Sequence, residues 1–227
     1  MPLYGQVIAD TAVTNGLVAW YKDGDSNDYW VNGYDGSNVN LSSASVSGGT
    51  EGAGWQGSKT TTVYPSSGGY AVLPLDTIIT GALPRTITMW INPNSTLTGS
   101  DYMFGFGGYG TGAAFNGRGT DAKMGFMGFS ADYVAGAIIY SDTSIWTRIW
   151  YTYNGTNVST FYTRNGTITS NWSTSITLNT PSSGTRTASI GAHASDVTNN
   201  NLDSNIRDFR IYDRVLSTAD MQSMWDE

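Results

Sequence analysis

The chain has 227 residues, a formal net charge of −7 and no cysteine. The missing cysteine excludes disulfides, cysteine-bound zinc and a thiol nucleophile. With 11 Lys and Arg against 18 Asp and Glu, the chain lacks a basic patch that could track phosphates, so we expect no nucleic-acid partner. No stretch is long and apolar enough to predict a membrane span. The first residues have no basic segment followed by an apolar one, so we expect synthesis in the cytoplasm without a signal peptide.

Short runs in which polar and apolar residues alternate dominate the chain. The runs predicted as strands are, in chain order, 17–21, 86–92, 135–140, 145–153, 158–164, 187–192 and 206–212. Asn154-Gly155 and Asn165-Gly166 each follow such a run and predict tight turns. Regular strands, frequent turns and little helical periodicity are typical of an all-β sandwich. Because no linker divides the chain, we expect one domain over 1–227.

The glycine-rich stretch 102–129 allows two interpretations. It could form two short strands whose glycines permit close packing or bulges. It could also form an interaction loop that carries several aromatic side chains. The sequence leaves both open.

The last run is followed directly by the signals of a short helix. Ser217 is a suitable N-cap, Asp220 occupies the third helical position, and Leu216 can pack on Met221 across the helix start. A helix this short needs tertiary contacts to be stable. We therefore expect it to dock through its apolar side chains, Met221, Met224 or Trp225.

Four segments, in the same order, resemble the motifs of laminin-G-like, concanavalin A-like lectin/glucanase domains. They are 15–39, 85–93 (RTITMWINP), 146–167 (WTRIWYTYNGTNVSTFYTRNGT) and 202–225 (LDSNIRDFRIYDRVLSTADMQSMW). The resemblance implies a jelly-roll sandwich of two antiparallel sheets, closed by one short C-terminal helix. The chain departs from the motifs at Ser204, Arg207 and Arg148, where the family carries Gly, Asp and His.

Glucanases of this fold use an E-x-D-x-E strand, and a retaining glycosidase needs two carboxyl groups about 5 Å apart. The chain has only two glutamates, Glu51 and Glu227, so that motif is absent. Polysaccharide lyases of the fold combine Tyr, His and Arg, which keeps the single histidine, His193, as a minor candidate. We predict a non-catalytic domain, with a polysaccharide hydrolase or lyase as an alternative.

An acidic loop follows the first predicted strand. It contains Asp23, Asp25, Asp28 and Asp35, and clustered oxygen ligands on a loop suit Ca²⁺. The family resemblance also implies calcium near such loops. The alternative is a solvated turn in which these side chains cap backbone groups.

A glycan site needs exposed aromatic faces with hydrogen-bonding side chains beside them. In the run 145–153, Trp146, Arg148 and Trp150 are predicted to point away from the core. They form a candidate platform for a glycan or a partner protein, unless a neighbouring loop or subunit covers them. Further candidates lie on loops: Trp30, Tyr34 and Trp55.

These features predict a lectin-like recognition module. The chain starts at Met1 without a leader, lacks cysteine and is rich in Gly, Ser, Thr and Asn, as expected for an exposed decoration protein or fibre of a virus or phage particle. We expect it to act on a virion or extracellular surface, as an oligomer or assembly component, and to bind glycans or other particle proteins. The alternative without an enzymatic role is a purely structural assembly protein that binds no glycan.

Overall fold

A computed structural model describes residues 14–21, 37–39, 42–47, 50–51, 58–64, 69–97, 101–143, 145–194 and 202–226. In chain order the strands are β1 Leu17–Tyr21, β2 Ser37–Val39, β3 Ser42–Ser47, β4 Thr50–Glu51, β5 Ser58–Tyr64, β6 Tyr70–Val72, β7 Arg85–Pro93, β8 Asp101–Gly107, β9 Ala114–Thr120, β10 Lys123–Met127, β11 Tyr133–Ile138, β12 Ile145–Tyr153, β13 Asn157–Thr163, β14 Thr169–Ser175, β15 Thr187–Ile190 and β16 Ser204–Tyr212. A short 3-10 turn covers Leu75–Thr77, and helix α1 covers Thr218–Asp226.

These strands form two sheets. Sheet I has the order β14-β13-β12-β7-β16-β5-β3, and β1 also pairs with β16. Sheet II has the order β11-β10-β9-β8-β15-β6-β2. The pairing is antiparallel except where β4 runs parallel to β12. The chain passes repeatedly between the sheets, which confirms the predicted jelly-roll sandwich with one short C-terminal helix.

The core lies between the sheets and is rich in aromatic rings. Phe104 of β8 is at its centre, with ring centroids 5.7 Å from Phe115, 5.2 Å from Tyr151 and 6.4 Å from Phe209. These four side chains come from both sheets. They belong to the larger of two clusters of buried apolar side chains, and burying such aromatic surface stabilises the fold.

Glycines make room for these rings in β9. A Cβ atom on Gly117 would lie 2.4 Å from Cε1 of Phe104, and one on Gly119 would lie 2.5 Å from Cβ of Leu97. The stretch 102–129 therefore contains strands whose glycines permit close packing, as the first interpretation predicted, although it holds three strands, β8 to β10, instead of two. The β8–β9 turn also carries Tyr109, and Phe129 follows β10.

The sequence pattern predicts no strand over 169–175, where the structure has the polar strand β14. Its sequence, TSNWSTS, buries only Trp172 and leaves its neighbours exposed or half-buried. A strand with one apolar residue at the edge of a sheet has little alternation to detect.

A β-bulge in β16 determines which of its side chains face the core. The pairing with β7 shifts between Arg207 and Arg210, and Asp208 has a left-handed φ of 50°. Because of this extra residue, Ile206 and Phe209 both reach the core. Arg207 and Arg210 are directed to the opposite, outer face of sheet I.

Helix α1 covers part of that outer face. Its predicted capping box is present: the Ser217 hydroxyl accepts from Asp220 N at 3.1 Å, and Asp220 Oδ2 accepts from Ser217 N at 2.8 Å. Met221 and Met224 are buried beside Trp150, and the Trp225 ring lies 5.3 Å from that of Trp90. The predicted docking is confirmed. Within the described ranges, no helix is long and apolar enough to cross a membrane.

Candidate functional site

The predicted Trp-Arg-Trp platform of β12 lies on the outer face of sheet I, but it is not exposed. Trp146, Arg148 and Trp150 are 0%, 1% and 0% exposed. The prediction that these side chains form an exposed platform is therefore wrong for the folded chain. They are covered, as the alternative proposed, but the covering elements that the structure shows are a helix and a strand of the same chain: α1 packs on Trp150, and β4 pairs with β12 at Trp146.

These side chains belong to a stack of alternating indole and guanidinium groups, which we call the Arg–Trp stack. The Arg148 guanidinium carbon lies 5.6 Å from the Trp90 ring and 5.8 Å from the Trp150 ring. Arg207 lies 5.1 Å from Trp90 and 4.8 Å from Trp146. Cation–π contacts of this kind strengthen when they are desolvated. Arg148 and Arg207, two positions at which the chain departs from the family motifs, thus lie on the strands on either side of Trp90.

Asp208 supplies the negative charge for this layer. Its carboxylate accepts from Trp20 Nε1 at 2.6 Å and from Arg210 Nε at 2.7 Å, and it also pairs with Arg148. Burial alone raises the pKa of Asp208. The charges of Arg210 and Arg148 outweigh that effect and bring the pKa well below its ordinary value. Among the described residues, the outer layer is therefore a largely buried structural cluster held together by cation–π contacts and ion pairs.

The other candidates from the sequence lie outside the described residues. These are the aromatic side chains Trp30, Tyr34 and Trp55, and the acidic loop with Asp23, Asp25, Asp28 and Asp35. Across the described part of the chain, no group of three His, Asp or Glu side chains could hold a metal ion.

A cleft opens where three loops meet at one end of the sandwich. It has a volume of about 330 Å³, at the lower end of the range for small-ligand sites. Its walls come from the β8–β9 turn, the β10–β11 loop and the end of β14 with the residues after it. The lining residues are Thr111, Ser130, Ala131, Asp132, Tyr133, Thr174, Ser175, Ile176 and Thr177.

Backbone hydrogen bonds tie the walls of this cleft together. Gly112 N donates to the carbonyl oxygens of Gly128 at 2.7 Å and Phe129 at 3.2 Å, and Asn179 N donates to Gly112 O at 2.9 Å. Asp132 Oδ1 accepts from Gly128 N at 3.1 Å. These hydrogen bonds therefore link the three loops that form the cleft to one another.

The β10–β11 loop has an unusual backbone. Phe129 and Ser130 have φ angles of 51° and 59°, in the left-handed region that bulky side chains rarely adopt. Two such residues in succession cost of the order of 1–3 kcal/mol each and are often found at functional sites. Here they place Ser130 in the cleft lining.

Tyr133 is the aromatic residue of the cleft lining, and its ring packs against Trp172. Its ring lies 4.9 Å from that of Trp172 in an edge-to-face arrangement, and Trp172 Nε1 donates to Met124 O at 2.9 Å. Tyr133 itself is half-buried, so part of its surface is available to a ligand. The cleft thus combines hydroxyl groups, one carboxylate and one aromatic side chain.

Beside the cleft, four rings form a layer on sheet II. Tyr109 lies 5.1 Å from Phe129, Phe129 lies 5.2 Å from His193, and His193 lies 4.6 Å from Tyr102. Tyr102 Oη accepts from Arg118 Nη1 at 3.4 Å. Tyr109 is 69% exposed, whereas His193 and Tyr102 are 6% and 5% exposed. The outer end of the layer is therefore open and the inner end is covered.

Sequence reasoning missed the cleft because its residues are polar and far apart along the chain. Thr111 lies in the stretch 102–129, which carried the interaction-loop alternative. Ser130 and Asp132 follow that stretch, but Ser175 lies in a strand that had not been predicted. Only the pairing of the strands brings these hydroxyl groups and the carboxylate together.

Residues 65–222 match the family model described as the Concanavalin A-like lectin/glucanases superfamily. The chain belongs to this superfamily. No curated protein matches it. The expected family, fold and helix are therefore confirmed, with the fold extending beyond the matched residues into β1–β5.

Solved structures of the same fold include binding domains. Domain 4 of AbnA, a GH43 extracellular arabinanase from Geobacillus stearothermophilus solved with arabinotriose, is 16% identical, with a TM-score of 0.67 over 92% of this chain and 97% of that chain. The binding domain of Paraclostridial Mosquitocidal Protein 1 is 15% identical, with a TM-score of 0.65 over 95% and 52%. The Botulinum neurotoxin serotype G binding domain is 12% identical, with a TM-score of 0.57 over 88% and 47%. The chain thus spans about half of the two toxin domains, and at these identities the likeness concerns the fold.

Proposed function

We propose that this superfamily member is a non-catalytic carbohydrate-recognition domain and that it binds sugar in the cleft between Thr111, Asp132 and Thr177. The observation that carries the proposal is the lining itself, which joins several hydroxyl groups, the Asp132 carboxylate and the Tyr133 ring. A structural neighbour that was solved with arabinotriose supports the same class of ligand.

The chemistry of the lining suits a sugar. A carboxylate accepts hydrogen bonds from neighbouring hydroxyl groups of one ring, and such charge-assisted bonds are stronger than neutral ones. Asp132 is already oriented by Gly128 N, which lowers the entropy cost of binding. Tyr133 offers an apolar surface to the C–H face of the ring.

A glycan array, followed by calorimetric titration of each hit, tests the proposal. We expect the Asp132→Asn variant to bind about tenfold to a hundredfold more weakly, because a hydrogen bond to a charged group contributes about 1.5–3 kcal/mol. Asp121→Asn is the matched control, since Asp121 is an exposed residue of the β9–β10 turn with a left-handed φ of 50° that asparagine tolerates. A blank array, or equal losses in both variants, would overturn the proposal.

We also propose Ca²⁺ binding by Asp23, Asp25, Asp28 and Asp35, on the sequence pattern of hard oxygen ligands alone. Repeating the glycan titrations with calcium and with a chelator distinguishes an ion that takes part in sugar binding from one that does not. A hit that is lost with chelator links the ion to the sugar site. If calcium produces neither heat nor a melting shift, the proposed ion site is wrong.

We further propose that the domain is displayed on a virus or phage particle, as a decoration protein or fibre component, at a virion or extracellular surface. The support is compositional: there is no cysteine, there are 28 glycines, and only 13% of residues are charged. Light scattering tests it, because particle components form symmetric oligomers or larger assemblies. A monomer that binds glycans would indicate an isolated lectin. A folded oligomer that binds none would indicate a purely structural assembly protein.

A polysaccharide lyase is a second candidate, favoured by the contact of His193 with Tyr102 and of Tyr102 with Arg118. Two observations weigh against it. Both rings are almost fully buried, and burial raises the pKa of Tyr102, whereas a catalytic base needs its pKa near the working pH. Release of unsaturated products from uronate polysaccharides, lost in a Tyr102→Phe variant, would establish the lyase and displace the non-catalytic proposal.

A further inference from the structure

We infer that the cleft is one end of a longer site, in which Tyr109 stacks on a second sugar unit, and that the ligand is a neutral polysaccharide bound along its chain. This inference rests on the proposed carbohydrate-binding function and names the class of ligand. It follows from the position of Tyr109, from how its ring is held, and from the charges of the cleft.

Tyr109 lies next to the cleft although it is not part of the lining. It is two residues from Thr111, and its ring partner Phe129 is the neighbour of Ser130. Both Thr111 and Ser130 line the cleft. The hydrogen bonds from Gly112 N to the β10–β11 loop fix the two loops against each other. A sugar chain that leaves the cleft on this side therefore meets the Tyr109 ring.

The Tyr109 ring packs against Phe129, and most of its side chain is exposed to solvent. Phe129 lies between it and His193, with interplanar angles of 35° and 84°. With 69% of its surface exposed, Tyr109 is the most exposed large hydrophobic side chain in the described part of the chain. A ring that is supported on one face loses little freedom on binding. Its open face suits the apolar side of a sugar ring.

The charges of the cleft favour a neutral ligand. Among the described residues that line it, Asp132 is the one charged side chain, and none is Lys or Arg. An anionic sugar would meet the Asp132 carboxylate without a cation from these residues to offset the repulsion. The negative net charge of the whole chain, −7, acts in the same direction.

Calorimetric titration of the full chain with neutral arabino- and xylo-oligosaccharides, from disaccharide to hexasaccharide, tests the inference. We expect affinity to rise with chain length. Tyr109→Ala should weaken hexasaccharide binding about tenfold and change disaccharide binding less than about twofold. Tyr109→Phe keeps the ring and should restore the hexasaccharide affinity. Leu83→Ala, which removes an apolar side chain that is 59% exposed and is not part of the cleft lining, should change neither.

The outcomes separate this inference from the proposed function. If the native protein binds, but Tyr109→Ala weakens short and long chains equally or leaves both unchanged, the second subsite is wrong and the cleft proposal stands. If oligogalacturonates bind as tightly as the neutral chains, the neutral class is wrong. If none of these oligosaccharides binds but the glycan array gives a hit whose affinity depends on Asp132, the inferred ligand class is wrong and the cleft proposal stands. If the array is also blank, both proposals fall. Unchanged melting temperatures establish that the variants are folded.

Discussion

Replacing Asp208 with asparagine removes the negative charge from the Arg–Trp stack while keeping the size of the side chain. In the native protein the carboxylate is 16% exposed and pairs with Arg148 and Arg210, whose side chains are 1% and 5% exposed. In the Asp208→Asn variant these two buried guanidinium groups lose their shared counter-charge.

The expected loss of stability is large for a single substitution. Removing one partner from a buried ion pair costs about 3–5 kcal/mol, because a buried charge is left uncompensated. Native domains are stable by only about 5–15 kcal/mol. For a chain of this size the melting temperature falls by about 2–4 °C per kcal/mol, so the variant should melt roughly 6–20 °C lower.

Urea unfolding followed by tryptophan fluorescence measures this effect at the site, because four indoles surround the charged groups: Trp20, Trp90, Trp146 and Trp150. The control is Asp213→Asn, since Asp213 is exposed just beyond the end of β16. We expect that variant to stay within about 0.5 kcal/mol of the native protein. A loss below about 1 kcal/mol in Asp208→Asn would refute the electrostatic interpretation of the stack.

The pH dependence gives an independent check. The pKa of Asp208 is lowered from its ordinary value of 3.8, and such a group stabilises the native state above its unfolded pKa. That contribution is lost as the pH falls through the native pKa. The stability gap between native protein and Asp208→Asn should therefore stay constant from neutral pH to about 5 and shrink below about pH 4. A gap that does not change down to about pH 2 would contradict the reasoning.

Three further changes have defined outcomes. Trp150→Ala should cost about 3–5 kcal/mol in urea unfolding, since the indole is fully buried against α1; a loss of glycan affinity at unchanged stability would contradict this. Ser217→Ala should lower stability by about 1 kcal/mol and the melting temperature by about 2–4 °C, because the capping box is lost; an unchanged melting curve would speak against the cap. Burial raises the pKa of Tyr140 and Tyr151, and that of Tyr212 to about 12. Stability should therefore fall as the pH rises above about 10, and constant stability up to about pH 11 would rule out this linkage.

The fold class and part of the local structure could be predicted from the sequence. The resemblance of 146–167 to the family hairpin implies that Ile149, Tyr151 and Tyr153 face the core, and all three lie in it. The period of two along a strand then puts Trp146, Arg148 and Trp150 on the opposite face. The Ser217 capping box was equally readable, since its hydrogen bonds join residues three positions apart. Four motifs in order were enough to indicate the concanavalin A-like superfamily.

Which of these faces is exposed to solvent depends on tertiary packing. Trp146, Arg148 and Trp150 lie on the outer side of β12, but that side is covered there, in part because α1, from a distant part of the sequence, packs on Trp150. The cleft also depends on long-range packing. Thr111, Asp132 and the end of β14 carry no periodic signal, and they meet because β8 to β14 pair as they do. Whether a side chain is buried, and which side chains lie together in a cleft, depends on long-range packing, which the local sequence pattern does not encode.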